Sequence, residues 1–134
     1  MTNKIQITVD AAGPRVLGAF WCDVLSYVEQ PPPPGFDTWD DALDSMGIDR
    51  SDPDRAFAIV DPDGLGPRML FLKVPEGKTA KNRLHLDVHT DPGELQTRAA
   101  ELVSIGATLV GEYDEPEGHW ITLLDPEGNE FCLH

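Results

Sequence analysis

Gln6 and Thr8, His85 and Asp87, and Glu130, Cys132 and His134 form three sets of polar side chains spaced two residues apart. Each set sits in a stretch where apolar residues occupy the alternate positions, so an extended backbone turns all members of a set to one side. Imidazole, carboxylate and thiolate groups carry protons and ligate borderline divalent ions. The Gln6 amide is a weak ligand and the Cys132 thiolate a soft one, so the set is incomplete for an ion that prefers histidine and carboxylate oxygen.

The sequence leaves a structural reading open beside each chemical one. His85, between Leu84 and Leu86, reads as a hydrogen-bonded cleft histidine or as a ligand or base. Asp87 is expected to orient a group or cap a loop amide without touching His85, because residues two apart on a strand are nearly 7 Å apart. Glu130 reads as a solvent-exposed hairpin residue or as a displaced catalytic carboxylate. Cys132 reads as a small packed side chain, since nothing in the sequence supplies an activating base or cation. His119 and His134 fall near strand ends and read as surface residues. Trp21, Trp39 and Trp120 read as core, or as a platform for an aromatic ligand where one lines an apolar cleft. There is no glycine-rich phosphate loop and no Ser or Cys nucleophile in a recognisable turn.

The elements that position these residues follow from periodicity. Residues 4–9 alternate as a strand, and from Pro14 the apolar residues Leu17, Phe20, Trp21, Val24 and Leu25 trace one face of a helix. A short strand is expected at 27–30, after which Pro31 to Pro34 end regular pairing. Phe36, Trp39, Leu43 and Met46 recur at helical spacing among acidic residues, predicting a short surface helix within an insertion at 36–54. The insertion is too short to own a core, so it is expected either to form a rim over a cleft or to pack on the sheet edge. Strands are predicted at 56–60 and 68–74, and a polar link at 75–82. The order then repeats: a strand from Arg83, a helix at about 92–105 stopped by Gly106, a strand at 107–113, and a closing hairpin around Asp125, Pro126, Glu127 and Gly128. The hairpin echoes Asp61, Pro62, Asp63 and Gly64 in the first half. The fold class is therefore α+β, two tandem βαβββ modules with a curved mixed sheet around a cleft, in a single domain with modules at about 1–76 and 82–134.

Two such modules, with AFWCDVL ending the first helix, a DPDG turn, the linker KTAKNRLHLDV and the terminal DPEGNEFCL, resemble the glyoxalase, bleomycin-resistance and extradiol-dioxygenase superfamily, the vicinal oxygen chelate proteins. PPPPGFDTW and KNRLHLDV are similar to its glyoxalase-like subgroup. The resemblance implies a cleft that holds a divalent metal in metal-dependent members, with ligands from the first and last strand of each module. Gln6 stands where a histidine is usual, His85 at the matching place in the second module, and Cys132 where a glutamate is usual. The first module offers only Leu70, Phe71 or Leu72 at the fourth position. The metal candidates are thus Gln6, His85 and Cys132, with Thr8, Asp87 and Trp39 added as cleft residues and Glu130 as the catalytic candidate.

At 134 residues the chain fits one domain, and no apolar run approaches the roughly 20 residues that span a bilayer. The start lacks the apolar segment of a signal peptide, and two isolated cysteines make neither a zinc spacing nor a disulfide framework, so a reduced, cytoplasmic protein is expected. The net charge of −14 excludes nucleic acid and anionic membranes as partners. Lys73, Lys78, Lys81 and Arg83 nevertheless cluster, reading as a local anion site or as a solvated basic loop. Two functions follow from the resemblance. One is a binding protein of the bleomycin-resistance type, holding a small molecule without an intact metal site. The other is a lyase, isomerase or dioxygenase in which a divalent metal polarises adjacent oxygens of a small substrate. A homodimer is expected, because relatives pair and open sheet edges invite association.

Overall fold

The computed structural model describes residues 1–134. In the first half, β1 (Ile7–Ala11) leads into α1 (Pro14–Leu25), followed by β2 (Val28–Glu29), α2 (Trp39–Ser45), β3 (Ala56–Val60) and β4 (Met69–Lys73). The second half runs β5 (Leu86–Val88), α3 (Leu95–Ser104), β6 (Thr108–Glu115), β7 (Gly118–Leu124) and β8 (Glu130–Leu133). The strands form two four-stranded mixed sheets of the same plan, ordered β1-β4-β3-β2 and β5-β8-β7-β6. In each, the first strand of the unit lies parallel to its last, and the remaining pairs are antiparallel. This is the α+β tandem βαβββ architecture that the repeat implies.

Each sheet is two-faced because its strands alternate. Phe57, Ile59, Met69 and Phe71 turn to α1, and Ile121, Leu123, Phe131 and Leu133 turn to the side of α3; all eight are buried. Helix α1 packs so closely on β3 that a Cβ added at Gly18 would stand 2.2 Å from the Phe57 ring. No larger residue fits there without moving the helix or the ring.

What buries surface between the two units is the helix-bearing side of each. Trp21 of α1 lies 5.0 Å from the Phe131 ring of β8, and Phe20 lies 6.1 Å from it, so one core runs through both halves. The closing hairpin adds a polar latch. The buried Asp125 carboxylate accepts from the Trp21 indole at 3.1 Å and from the backbone N–H groups of Glu127 and Asn129 in its own turn. Glu127 accepts from the N–H groups of Ala12 and Gly13 at 2.6 and 3.1 Å, satisfying donors at the start of α1 that have no partner within the helix. The opposite face of the second sheet is left uncovered, that of the first lies beside the insertion, and the two carry the candidate residues.

The insertion contains a single short helix, as its apolar spacing predicts. Thr38 caps α2 by accepting from Asp41 N–H at 3.1 Å, and Asp40 and Asp41 sit favourably in its first turn. The apolar stripe is shorter than expected: Met46 ends the helix and is 55% exposed, while Ala42 is fully buried. No helix is long and apolar enough to cross a membrane.

Candidate functional site

On the open face of the second sheet, register brings the predicted residues together. Asp87 of β5 lies opposite Cys132 of β8, which lies opposite Thr122 of β7. His85 Nδ1 is 3.1 Å from Asp87 Oδ1, and Cys132 Sγ is 3.3 Å from Thr122 Oγ1. Donor atoms of His85, Asp87 and Cys132 all fall within 4.8 Å of one another.

Three sequence expectations are corrected here. Asp87 does touch His85: the backbone spacing along a strand is as expected, but His85 precedes β5, and the two side chains lean towards each other over the gap. Cys132 is not packed in the core; it is half-buried on the open face beside an imidazole and a carboxylate. Glu130 is not solvent-exposed, its side chain being only 18% exposed. It accepts from Lys78 Nζ at 3.1 Å and from the N–H of Asn82 at 3.0 Å, anchoring the link between the modules. Burial alone would raise its pKa, but the Asn82 and Glu130 N–H groups and the Lys78 ammonium outweigh it and hold the carboxyl below its usual range. Lys78 is thereby spent, and Lys73 pairs with Asp52 at 3.0 Å. The basic cluster of residues 73–83 is thus largely engaged in structural contacts, not gathered as an anion site.

A feature that sequence reasoning missed lies beside this group. Four rings line up across the face: Tyr113 stacks on Trp120 at 5.6 Å, Trp120 on His134 at 6.2 Å, and His134 faces His89 at 5.4 Å. His134 Nε2 also reaches to 3.7 Å from Asp87 Oδ2, so the ring row and the donor cluster are continuous. Only Trp120 and His134 drew notice in the sequence. The row depends on the β6–β7 register, which sets Tyr113 opposite Trp120 and which alternation within either strand does not fix. His119, by contrast, is held away in a pair with Glu112 at 2.7 Å.

The first sheet gathers a different group. Gln6 Nε2 donates to Thr8 Oγ1 at 3.3 Å, and Gln6 Oε1 accepts from Arg68 Nη1 at 2.8 Å. Arg68 Nε donates to Gln30 Oε1 at 2.8 Å, and the Gln30 backbone oxygen accepts from the Trp39 indole at 2.7 Å. Gln6, Thr8 and Trp39 therefore belong to one chain of hydrogen bonds within the first module, while His85, Asp87 and Cys132 belong to the second. The sequence pattern marks Arg68, which ties Gln6 to Gln30, only as a strand residue. Beside it a cavity of about 490 Å³ opens between the insertion and β3, lined by Trp39, Leu43, Ile48, Ala58, Arg68 and Leu70 among others.

The three donors of the second sheet partly fit the divalent ion that the fold implies. Tetrahedral ligands at normal bond lengths stand about 3.3–3.8 Å apart, so small side-chain rotations bring the three donors into range. One nitrogen, one oxygen and one sulfur suit a borderline ion better than a hard one. Leu70, opposite Thr8 in the first sheet, supplies no ligand.

Two four-stranded sheets of the same βαβββ plan, with polar residues on the faces turned away from the helices, define the vicinal oxygen chelate class of fold. The glyoxalase-like domain model matches residues 6–134, and the chain belongs to that family. Among solved structures it is similar to the fosfomycin resistance protein FosX of Mesorhizobium loti, at 13% identity and TM-score 0.69 over 100% of this chain and 91% of that one. FosX of Listeria monocytogenes, crystallised as a mutant with Mn(II) and 1S,2S-dihydroxypropylphosphonic acid, matches at 12% identity and TM-score 0.70, covering 100% of this chain and 90% of that one. A glyoxalase/bleomycin resistance protein/dioxygenase family enzyme of Burkholderia phytofirmans PsJN matches at 17% identity and TM-score 0.66, over 96% of this chain and 94% of that one. At these identities the likeness is one of fold. No curated protein sequence matches the chain.

Proposed function

We propose that this protein binds a small molecule on the open face of its second sheet and does so without a resident metal. The observation that carries the reading is the uncovered row of Tyr113, Trp120, His134 and His89 running beside the donors of His85, Asp87 and Cys132. Flat rings offer apolar area at small entropic cost, and the adjoining polar groups fix the orientation of an oxygenated ligand. Glu130, held by Lys78 and Asn82, would serve structure rather than proton transfer. The test is ligand-observed NMR with a panel of aromatic and polyoxygenated compounds in the presence of EDTA. Binding that persists with chelator and weakens in Trp120→Ala supports the reading, and binding that vanishes with chelator overturns it.

The three-donor cluster favours a second reading, metal-assisted lyase, isomerase or dioxygenase chemistry. His85, Asp87 and Cys132 would hold the ion, which would supply Lewis acidity to a substrate carbonyl or hydroxyl. The Asp87 carboxylate beside His85 would orient that imidazole. One tightly held divalent ion per chain in protein purified without a chelating tag, lost in His85→Ala, would establish it. We also propose that the protein is cytoplasmic and a homodimer of single-domain, two-module chains, since the sheet edges and the open face of the second sheet leave surface for association. Sedimentation at micromolar concentrations showing only monomer would remove the dimer.

A further inference from the structure

We propose that Arg68 and Trp39 form a second binding site, for a small organic anion made of a carboxylate or similar oxyanion on a planar apolar body, in the cavity under the insertion. Four arginines line that cavity, and carboxylates offset the charge of three of them. Arg50 pairs with Asp40 at 3.0 Å, Arg15 stands 3.7 Å from Glu29, and the charge of Arg55 acts on Asp49. The fourth carboxylate at the cavity, Asp52, is taken by Lys73 at 3.0 Å. Arg68 differs from the other three. It is half-buried, both its partners are neutral amides, and its Nη2 amine has no partner in the protein.

That arrangement fixes the guanidinium without neutralising it. Two amide oxygens orient the fork, and its charge remains for an incoming oxyanion, which a guanidinium binds through paired, charge-assisted hydrogen bonds. Gln30 then ties the hook to an aromatic wall, because its side chain holds Arg68 while its backbone oxygen holds the Trp39 indole at 2.7 Å. Ala58 and Leu70 leave a small, apolar floor between β3 and β4. At about 490 Å³ the space suits a ligand of one or two rings. On this proposal the insertion forms one wall of the ligand's cavity. The site lies wholly in the first module, so its fate is separate from that of the His85 cluster.

Titration calorimetry of the full chain in EDTA, with benzoate, phenyl phosphate and neutral benzyl alcohol, tests it. Both anions should saturate, with the alcohol at least ~10-fold weaker, and affinity for the anions should fall as salt screens the charge. Arg68→Gln should bring the anions down to the level of the alcohol, and Arg68→Lys should fall between, keeping charge but losing the fork. Trp39→Leu should weaken all three compounds alike. Equal affinity of the wild-type protein for benzoate and benzyl alcohol would overturn the proposal without recourse to any variant. So would unchanged anion affinity in a folded Arg68→Gln protein, or no saturation by either anion up to roughly 10 mM.

Discussion

At matched places on the parallel strand pairs, the first sheet has Gln6, Thr8, Arg68 and Leu70 where the second has His85, Asp87, Glu130 and Cys132. Even a local contact recurs, Gln6 to Thr8 at 3.3 Å and His85 to Asp87 at 3.1 Å. Yet of these four the first sheet has one charged group, a guanidinium, whereas the second gathers an imidazole, two carboxylates and a thiol. The backbone of a repeat fixes where side chains stand and leaves their chemistry free. On the proposals above, the first module would hold an anion on Arg68, and the second would hold its ligand beside groups able to bind a metal or carry a proton.

The turns show the same divergence, and the largest predicted effect comes from them. Asp61 and Asp125 both open a hairpin and accept backbone N–H groups of their own turn, but only Asp125 is buried and bonded across to Trp21. Asp125→Ala should lower unfolding stability in urea by about 3 kcal/mol, since it strands the indole N–H and turn donors inside the core. Asp61→Ala should cost clearly less. Equal losses would mean that the cross-module latch contributes nothing beyond a turn.

Metal affinity should separate the modules next. Zinc titrated into the apo protein should bind ~10-fold or more weakly in His85→Ala, with no change in Gln6→Ala. A loss in both variants would unite the two faces in one site and end the division of roles argued above.

How far this was legible in the sequence depends on which distance was asked for. Alternation at Ile7, Thr8 and Val9 and the helical spacing of Leu17, Phe20, Trp21 and Val24 placed strands and helices, because those periods are local. The facing of Gln6, His85 and Cys132 followed from the same rule. Contacts set by packing or by register between distant segments did not follow. Trp21 meeting Asp125, Glu130 accepting from Asn82, and Arg68 lodged between Gln6 and Gln30 each join segments far apart in the chain. Asp87 was misjudged for a different reason: strand spacing was applied to backbones, whereas long side chains on one face can close the interval.

Acid stability probes the matched pair Arg68 and Glu130. The Glu130 carboxyl is held below its usual range in the folded protein. Its contribution is therefore present above the unfolded value of about 4.3 and is lost as pH falls through the lower, folded value. Glu130→Gln should cost about 1 kcal/mol at neutral pH, and the variant should be less sensitive to acid between those limits. An acid titration of stability identical in variant and parent would show that Lys78 and Asn82 do not depend on the charge.

The smallest effect should come from making the second face resemble the first. Cys132→Leu places in β8 the residue that β4 carries at position 70. Because Cys132 is half-buried and its only side-chain partner is Thr122 at 3.3 Å, an extra apolar group there meets open space and loses one weak hydrogen bond. Thermal or urea unfolding should therefore change by less than about 1 kcal/mol. Zinc affinity should nevertheless fall as far as in His85→Ala, since a thiolate donor has been removed from the same cluster. A loss of several kcal/mol would show instead that Cys132 belongs to the packed interior. The open face of the second sheet would then lose its soft ligand, and with it the contrast in chemistry to the first.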